Sequence, residues 1–110
     1  MLRLCAAAHV IEGLPVKVSL PGRPPMAVFR VGENIHVTDA HCTHGQALLT
    51  EGHQAGRKVR CPLHGGAFDI RTGQPLAAPC TAPLRTHRTC VIEGNVVLVE
   101  ECTEPSKETT

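Results

Sequence analysis

Two short stretches, Cys42-Thr43-His44-Gly45 and Cys61-Pro62-Leu63-His64-Gly65, determine what this 110-residue chain folds around. Each supplies one thiol and one imidazole, as Cys-x-His and then Cys-x-x-His, and sixteen residues, 45 to 60, separate them. Two Cys and two His in two short loops predict a metal site. The candidate metal ligands are therefore Cys42, His44, Cys61 and His64.

The mixture of ligands within each loop narrows the choice of metal. Structural zinc sites with two Cys and two His usually group the Cys as one pair and the His as another. A Rieske [2Fe–2S] centre instead has two Cys on one iron and two His on the other. Each loop must then reach both irons and carry one ligand of each kind. The pattern favours the iron–sulfur centre, with zinc or a chance arrangement as the alternatives.

At these motifs the chain resembles the Rieske ferredoxins of bacterial aromatic-ring dioxygenase systems. Besides the two ligand motifs, the resemblance rests on Phe68-Asp69 followed by Arg71-Thr72-Gly73, and Ala78-Pro79 looks like the family's third loop against the cluster. It implies that Cys42 and Cys61 bind the inner iron. His44 and His64 would bind the outer iron, with the second ring nitrogen of each towards solvent.

The pattern along the chain is that of an all-β protein with many turns, because apolar runs are short and rich in Val and are punctuated by Gly and Pro. We expect antiparallel β-sheets with a small cluster-binding subdomain, about residues 40–80, at one tip; the resemblance implies the three-sheet Rieske iron–sulfur fold. Residues 76–82 are expected to be irregular, since Pro75, Pro79 and Pro83 interrupt them. A hairpin is expected over residues 91–99, with its turn at Gly94-Asn95. A second turn, at Gly32-Glu33, is expected to join two earlier strands. Strands are predicted at 2–6, 16–20, 26–31, 34–38, 58–60 and 67–70, and more weakly at 84–91.

The length predicts one domain, residues 1–101, followed by a flexible polar tail at 102–110. The net charge is +1 and the only aromatic residues are Phe29 and Phe68, so nucleic acid is not an expected partner. No stretch approaches the ~20 apolar residues of a membrane span, and the N-terminus lacks a signal-peptide layout. We therefore expect a cytoplasmic monomer that does not bind membranes.

The remaining Cys, His and basic residues have simpler interpretations. His41, beside Cys42, is expected to end a strand. Arg57-Lys58-Arg60 is expected to form a solvated basic face, with partner docking as the alternative. His9, His36, His53 and His87 are expected at the surface or in loops. The other thiols, expected to be buried or half-buried, are Cys5, Cys80, Cys90 and Cys102; Cys80 stands out because it follows Pro79.

The resemblance implies an electron carrier with one [2Fe–2S] cluster per chain and no catalytic activity of its own. Its partners would be a flavoprotein NAD(P)H-dependent ferredoxin reductase and a terminal Rieske oxygenase. An oxygenase would also need a mononuclear iron held by two His and a carboxylate, and the sequence after His64 offers only His87. A fragment or subunit of such an oxygenase, or the small subunit of a nitrite reductase, are the alternatives. The aromatic substrate is not encoded in this chain.

The sequence also predicts a low reduction potential. Respiratory Rieske proteins carry an extra Cys in each ligand loop, where this chain has Ala47 and Leu63. They also place a Ser and a Tyr hydroxyl near the cluster sulfurs, where this chain has Gly66 and Phe68. Because hydrogen bonds to sulfur favour the reduced cluster, their loss lowers the potential.

Overall fold

The computed structural model of the protein describes residues 2–43, 47–62, 65–78 and 80–99. Strands dominate these residues, with short 3₁₀ turns at Ala7–His9 and Leu49–Glu51. No helix in these ranges is long and apolar enough to cross a membrane. The strands are β1 (Leu2–Ala6), β2 (Val16–Val18), β3 (Met26–Val31), β4 (Asn34–Asp39), β5 (His53–Ala55), β6 (Lys58–Arg60), β7 (Ala67–Asp69), β8 (Pro75–Ala77), β9 (Thr86–His87), β10 (Thr89–Ile92) and β11 (Asn95–Leu98).

The strands form three antiparallel sheets, which confirms the predicted all-β fold. Their orders are β1-β11-β10, β2-β3-β4-β9 and β5-β6-β7-β8. The third sheet lies, in chain order, between β4 and β9 of the second, so the chain leaves the second sheet and later returns to it. The predicted limits of 1–101 for the domain and 102–110 for the tail stay predictions, since residues 100–110 lie outside the described ranges.

Strand β3 joins the two hydrophobic cores of the molecule. Alternate side chains of a strand point to opposite faces. Met26 and Val28 belong to a core shared with the first sheet, whereas Ala27 and Phe29 belong to a core shared with the third sheet. All four are at most 1% exposed. The second sheet is therefore the middle layer, and its buried far face supports the part of the chain that carries the ligand motifs.

Buried Gln54, on β5, ties the third sheet to the rest of the protein. Its side-chain amide donates to the carbonyls of Arg30 on β3 (2.8 Å) and Gly56 (2.9 Å). Its Oε1 accepts the backbone N–H of Gly13 at 3.0 Å. Since Gln54 is only 8% exposed, these three bonds replace the water that its amide gives up. They hold two sheets and a loop in one arrangement.

The predicted hairpin near the C-terminal end is present, but its turn is one residue earlier than expected. Ile92 pairs with Asn95, so the central residues are Glu93 and Gly94 and not Gly94-Asn95. Both have positive φ, 52° and 79°, as a two-residue type I′ turn requires. The expected Gly32-Glu33 turn is confirmed: β3 and β4 pair up to Val31 and Asn34.

Two further expectations about the strands were wrong, and one strand was not expected. Residues 76–82 are not wholly irregular, because Pro75–Ala77 forms β8, an edge strand of the third sheet. Pro has no backbone N–H to donate. An edge strand tolerates it, because positions whose N–H would point away from the sheet need no partner strand. The region 84–91 contains two strands in different sheets, β9 and β10. Strand β5 was not predicted from its His-Gln-Ala sequence.

Two of the histidines predicted at the surface or in loops are integrated into the second sheet. His36 lies half-buried on β4, and its burial and then the nearby Arg71 guanidinium lower the pKa of its imidazole. His87 lies on β9, and its Nε2 is 2.8 Å from Oδ1 of Asp39. His9 and His53 are exposed. Among the extra thiols, Cys5 is half-buried and Cys80 is buried as expected, but Cys90 is exposed.

Candidate metal centre

The first ligand loop begins where β4 ends, and backbone hydrogen bonds fix both of its sides. The N–H of Ala40 donates to the Pro25 carbonyl (3.0 Å), and the Ala40 carbonyl accepts the N–H of Leu49 (2.7 Å). The N–H of Cys42 donates to the carbonyl of Ala47 at 2.9 Å. Cys42 is thereby held at the mouth of a short closed loop, with its side chain 4% exposed.

The second ligand loop joins β6 to β7 and closes in the same way. The N–H of Cys61 donates to the carbonyl of Gly66 at 2.6 Å. Gly65 has a φ of 74°, a conformation that a residue with Cβ adopts with difficulty. Its carbonyl accepts a hydrogen bond from Nη1 of Arg60 at 2.5 Å. The glycines therefore serve the tight return of this loop, and Cys61 is 5% exposed.

A third segment, the connection from β8 to β9, brings a further cysteine to the same place. The N–H of Cys80 donates to the Ala77 carbonyl at 3.2 Å, and its side chain is 5% exposed. Its Sγ lies 3.7 Å from Sγ of Cys42. The Thr43 hydroxyl donates to the Ala82 carbonyl at 2.8 Å, which joins the first ligand loop to this third segment.

Cys42, Cys61 and Cys80 all belong to one buried apolar cluster, together with side chains from β3, β6 and β7. Burial, followed by the hydrogen bond to Cys42, raises the pKa of the Cys80 thiol to about 11. The sequence singled out Cys80 only by its position after Pro79. Its contact with Cys42 joins residues 38 positions apart, and no local pattern reveals such a pairing.

The described half of the predicted donor set fits an iron–sulfur cluster. Cys42 and Cys61, from separate loops, are buried in the same apolar cluster, as a pair of Cys ligands to one iron requires. His44, His64 and Pro79 lie outside the described residues, and so does Cys102. Within the described ranges, no group of three or more His, Cys, Asp or Glu side chains is placed to hold a metal ion. His41 is exposed and forms an isolated β-bridge with Leu48, in line with its predicted position at a strand end.

The Phe-Asp and Arg-Thr-Gly residues that follow the second ligand loop form its support. Oδ1 of Asp69 accepts the N–H groups of Arg71 (2.8 Å) and Thr72 (3.2 Å). Its Oδ2 lies 3.5 Å from Nε of Arg57. Asp69 is 8% exposed and Phe68 is fully buried. The carboxylate thus organises a turn beneath the site, a role that the sequence motif alone did not disclose.

An open recess of about 400 Å³ lies beside the second ligand loop. Arg60 contributes to its wall, so one member of the basic cluster faces the site, while exposed Arg57 pairs with the turn at Asp69. The basic cluster is thus partly engaged in holding loops. The other residues of the recess wall are Glu51, Gly52, His53, Cys61, Pro62 and Gly65.

Comparison with known proteins agrees with this geometry. The Rieske [2Fe-2S] domain family matches residues 1–98. Ferredoxin CarAc of Metapseudomonas resinovorans is 43% identical over 100 residues, which cover 91% of this chain and 94% of that relative. The solved structure of a ferredoxin from Sphingomonas yanoikuyae B1 is 45% identical with a TM-score of 0.87, covering 88% of this chain and 95% of that one.

One similar structure includes a partner. The complex of reduced oxygenase and oxidised ferredoxin in carbazole 1,9a-dioxygenase contains a chain that is 43% identical with a TM-score of 0.84. The match covers 88% of this chain and 99% of that chain. More distant structures share the fold alone. A nitrite reductase small subunit is 21% identical with a TM-score of 0.74, and a carbazole 1,9a-dioxygenase terminal oxygenase is 23% identical, matching over only 30% of its length.

Proposed function

This chain belongs to the Rieske [2Fe-2S] domain family, and on that premise we propose that it is the electron-carrying ferredoxin of an aromatic-ring dioxygenase system. It takes electrons singly from a flavin-dependent NAD(P)H reductase and delivers them to the terminal oxygenase. The observation that carries this proposal is the burial of two thiols from the two motif loops, Cys42 and Cys61, in the same apolar cluster. The chain that holds them matches a ferredoxin over 91% of its length.

The proposed ligands are the four residues of the two motifs. Cys42 and Cys61 would hold one iron, and His44 and His64 the other, with one [2Fe–2S] cluster per chain. The burial of both thiols and the close return of both loops support this assignment. When bound, the cluster supplies a one-electron couple between its oxidised and reduced forms.

The protein's own residues prepare the site for that couple. The apolar side chains around the thiols keep water away from the sulfurs, and burial lowers the local dielectric constant. The hydrogen bonds that close both ligand loops fix the positions of the two Cys before and after electron transfer. A rigid site of this kind favours rapid electron transfer, because few protein groups must move when the charge of the cluster changes.

The competing functions have weaker support. Relatives at 43% and 40% identity are a ferredoxin and the ferredoxin component of a p-cumate 2,3-dioxygenase system, and neither is named as an oxygenase. The nitrite reductase small subunits of similar fold are less alike in sequence, at 21% and 25% identity. The oxygenase chain of similar fold is much longer than this one, which matches 30% of it. A carrier is therefore the function that sequence and structure favour together.

The proposal extends to the reductase, the assembly and the location. We place the carrier in the cytoplasm, where thiols stay reduced and nicotinamide cofactors can feed the flavoprotein. A monomer suits the role, because one small surface must meet two partners in turn. Size-exclusion chromatography with light scattering should give a mass near 11.7 kDa, and a stable dimer would contradict this part.

The function is tested by two anaerobic mixing experiments followed by stopped-flow absorbance. With NADH and a reductase from a dioxygenase system, the purified protein should be reduced by one electron per cluster. The reduced protein should be reoxidised when it is mixed with an oxidised terminal oxygenase. In a separate aerobic assay with NADH and the reductase but no oxygenase, an aromatic substrate should remain unchanged. Cys42→Ser protein serves as the control that should accept no electrons. Reduction only by a quinol, or substrate oxidation without an oxygenase, would overturn the proposal.

A further inference from the structure

The third buried thiol of the centre, Cys80, is not among the four proposed ligands. Its Sγ lies 3.7 Å from Sγ of Cys42, within the distance at which sulfur forms hydrogen bonds. Either sulfur could be the donor when both carry protons. A Cys42 that binds iron as a thiolate has no proton, which leaves Cys80 as the donor.

The backbone of the second ligand loop leaves room for this thiol. A Cβ at Gly66 would lie 2.3 Å from Sγ of Cys80 and 3.2 Å from its Cβ. Real Cβ atoms do not approach other atoms so closely, so any side chain at position 66 would push the thiol aside. Cys80 occupies the space that the missing side chain of Gly66 makes available.

Other contacts hold the thiol in this position. The N–H of Cys80 is bonded to Ala77, and the following residues are tied to the first ligand loop through Thr43 and Ala82. The N–H of Cys42 is bonded to Ala47. The backbone amide of Cys42 is thus engaged within its own loop, and the Cys80 thiol is a second polar group next to the Cys42 sulfur.

We propose that the Cys80 thiol donates a hydrogen bond to the Cys42 sulfur and thereby favours the reduced form of the cluster. This inference rests on the proposed function, in particular on Cys42 as an iron ligand. Reduction adds negative charge that the cluster sulfurs share, so a donor at one sulfur binds the reduced form more strongly. Cys80 does not bind iron itself. It acts on the cluster through the Cys42 sulfur.

The expected size follows from the strength of one hydrogen bond. Only the difference in hydrogen-bond strength between the reduced and the oxidised cluster changes the potential, so the net contribution of one hydrogen bond, worth about tenfold in an equilibrium constant, is an upper bound. At a fixed potential, the ratio of reduced to oxidised cluster should therefore fall by at most about tenfold when the donor is removed. A tenfold change corresponds to about 59 mV for a one-electron couple.

The test compares Cys80→Ala, which removes the donor, with Cys80→Ser, which replaces the thiol by a hydroxyl donor. Cys90→Ala removes an exposed thiol on β10 and is the matched control. Midpoint potentials are measured by protein-film voltammetry on cluster-loaded proteins. Pulsed electron paramagnetic resonance in D₂O, on the reduced proteins, detects an exchangeable proton near the cluster.

The result expected is a lower potential for Cys80→Ala, loss of one exchangeable proton signal, and a potential for Cys80→Ser that is closer to wild type. Cys90→Ala should match wild type in both measurements. An unchanged or raised potential for Cys80→Ala would overturn the inference; a raised value would show that water entering the vacated space dominates. Cys42→Ser tests the ligand assignment separately from the hydrogen bond. If this variant keeps an unaltered cluster, Cys42 is not an iron ligand, and the proposed function is contradicted independently of Cys80.

Discussion

Cys42 and Cys61 have the same local environment in the two ligand loops. Each is almost fully buried, and each has its N–H bonded to a carbonyl a few residues further along the same loop. The motif spacing predicts that the two loops converge on one cluster. The additional roles of Cys80 and Asp69 arise from contacts between loops, which the order of residues in the chain does not reveal.

The ligand assignment predicts a clear difference between neighbouring histidines. Cys42→Ser, His44→Ala, Cys61→Ser or His64→Ala should each abolish the cluster and weaken the fold, because metal binding contributes to folding. His41→Ala, at an exposed position beside the first ligand loop, should retain it. Visible absorbance with iron and sulfide analysis measures the outcome, and the chain has no Trp or Tyr to obscure the near-ultraviolet. If the His41→Ala protein loses its colour and the His44→Ala protein keeps it, the histidine ligand of the first loop is His41 and the assignment to His44 is wrong.

At the level of strands and turns, the sequence predicted those elements whose pattern is local. The bounds of β1, β3 and β6 agree with the expectation because each is a short apolar or alternating run. Strands β5 and β8 were missed because their residues, His-Gln-Ala and Pro-Leu-Ala, have low strand propensity. Pairing with β6 and β7 makes them strands, and that pairing is a tertiary contact.

The contacts of Gln54 predict that it holds the third sheet on the rest of the protein. Gln54→Ala removes three part-buried hydrogen bonds, to Gly13, Arg30 and Gly56, and a typical hydrogen bond contributes about 0.5–1.5 kcal/mol to stability. The variant should melt several degrees below wild type by circular dichroism. Amide exchange at Gly13, measured by nuclear magnetic resonance, should accelerate.

Gln74→Ala is the matched control for Gln54→Ala, since its side chain is exposed. Substitutions at such positions usually change stability by less than about 0.5 kcal/mol. Equal melting temperatures for Gln54→Ala and Gln74→Ala would contradict the role given to Gln54.

Two hairpin turns supply a matched pair for a backbone prediction. Glu93 has a φ of 52° and is the only non-glycine residue at positive φ among the described residues. A residue with Cβ loses roughly 1–2 kcal/mol in this conformation. Glu93→Gly should therefore stabilise the protein, after the entropy cost of glycine, about 0.5–1 kcal/mol, is subtracted. Glu33→Gly, in the β3–β4 turn, relieves no positive φ and should destabilise the protein. Chemical denaturation gives the free energy of unfolding of both variants. A Glu93→Gly protein less stable than Glu33→Gly would contradict the turn geometry.

For the molecule as a whole, three sheets enclose two hydrophobic cores, and β3 contributes side chains to both. Cys42 and Cys61 belong to the core shared with the third sheet. The all-β architecture and the family could be inferred from the two motifs and the turn-rich pattern. The layered order of the sheets could not, because β3 serves both cores with alternate side chains and appears in the sequence as one apolar run. The predicted ligands His44 and His64 lie outside the described residues, so their role remains a prediction of the motif.

The central claim is that this molecule is a low-potential carrier that feeds an oxygenase. Gly66 has no side chain to donate to the cluster, and buried Phe68 has a ring without a hydroxyl. Cys80 supplies a thiol, which is a weak donor. With so few donors to sulfur, the reduced cluster is stabilised little, and the potential should lie near the bottom of the range for Rieske centres, which is roughly −150 to +300 mV.

Protein-film voltammetry of the cluster-loaded protein at neutral pH is the measurement that tests this claim most directly. The account predicts one reversible one-electron wave with a midpoint in the lowest part of that range, near about −150 mV. Such a carrier is within reach of a nicotinamide-fed flavin and can pass electrons to an oxygen-activating iron. A midpoint above about +100 mV, in the upper part of the range, would indicate a quinol-type partner and contradict the ferredoxin role.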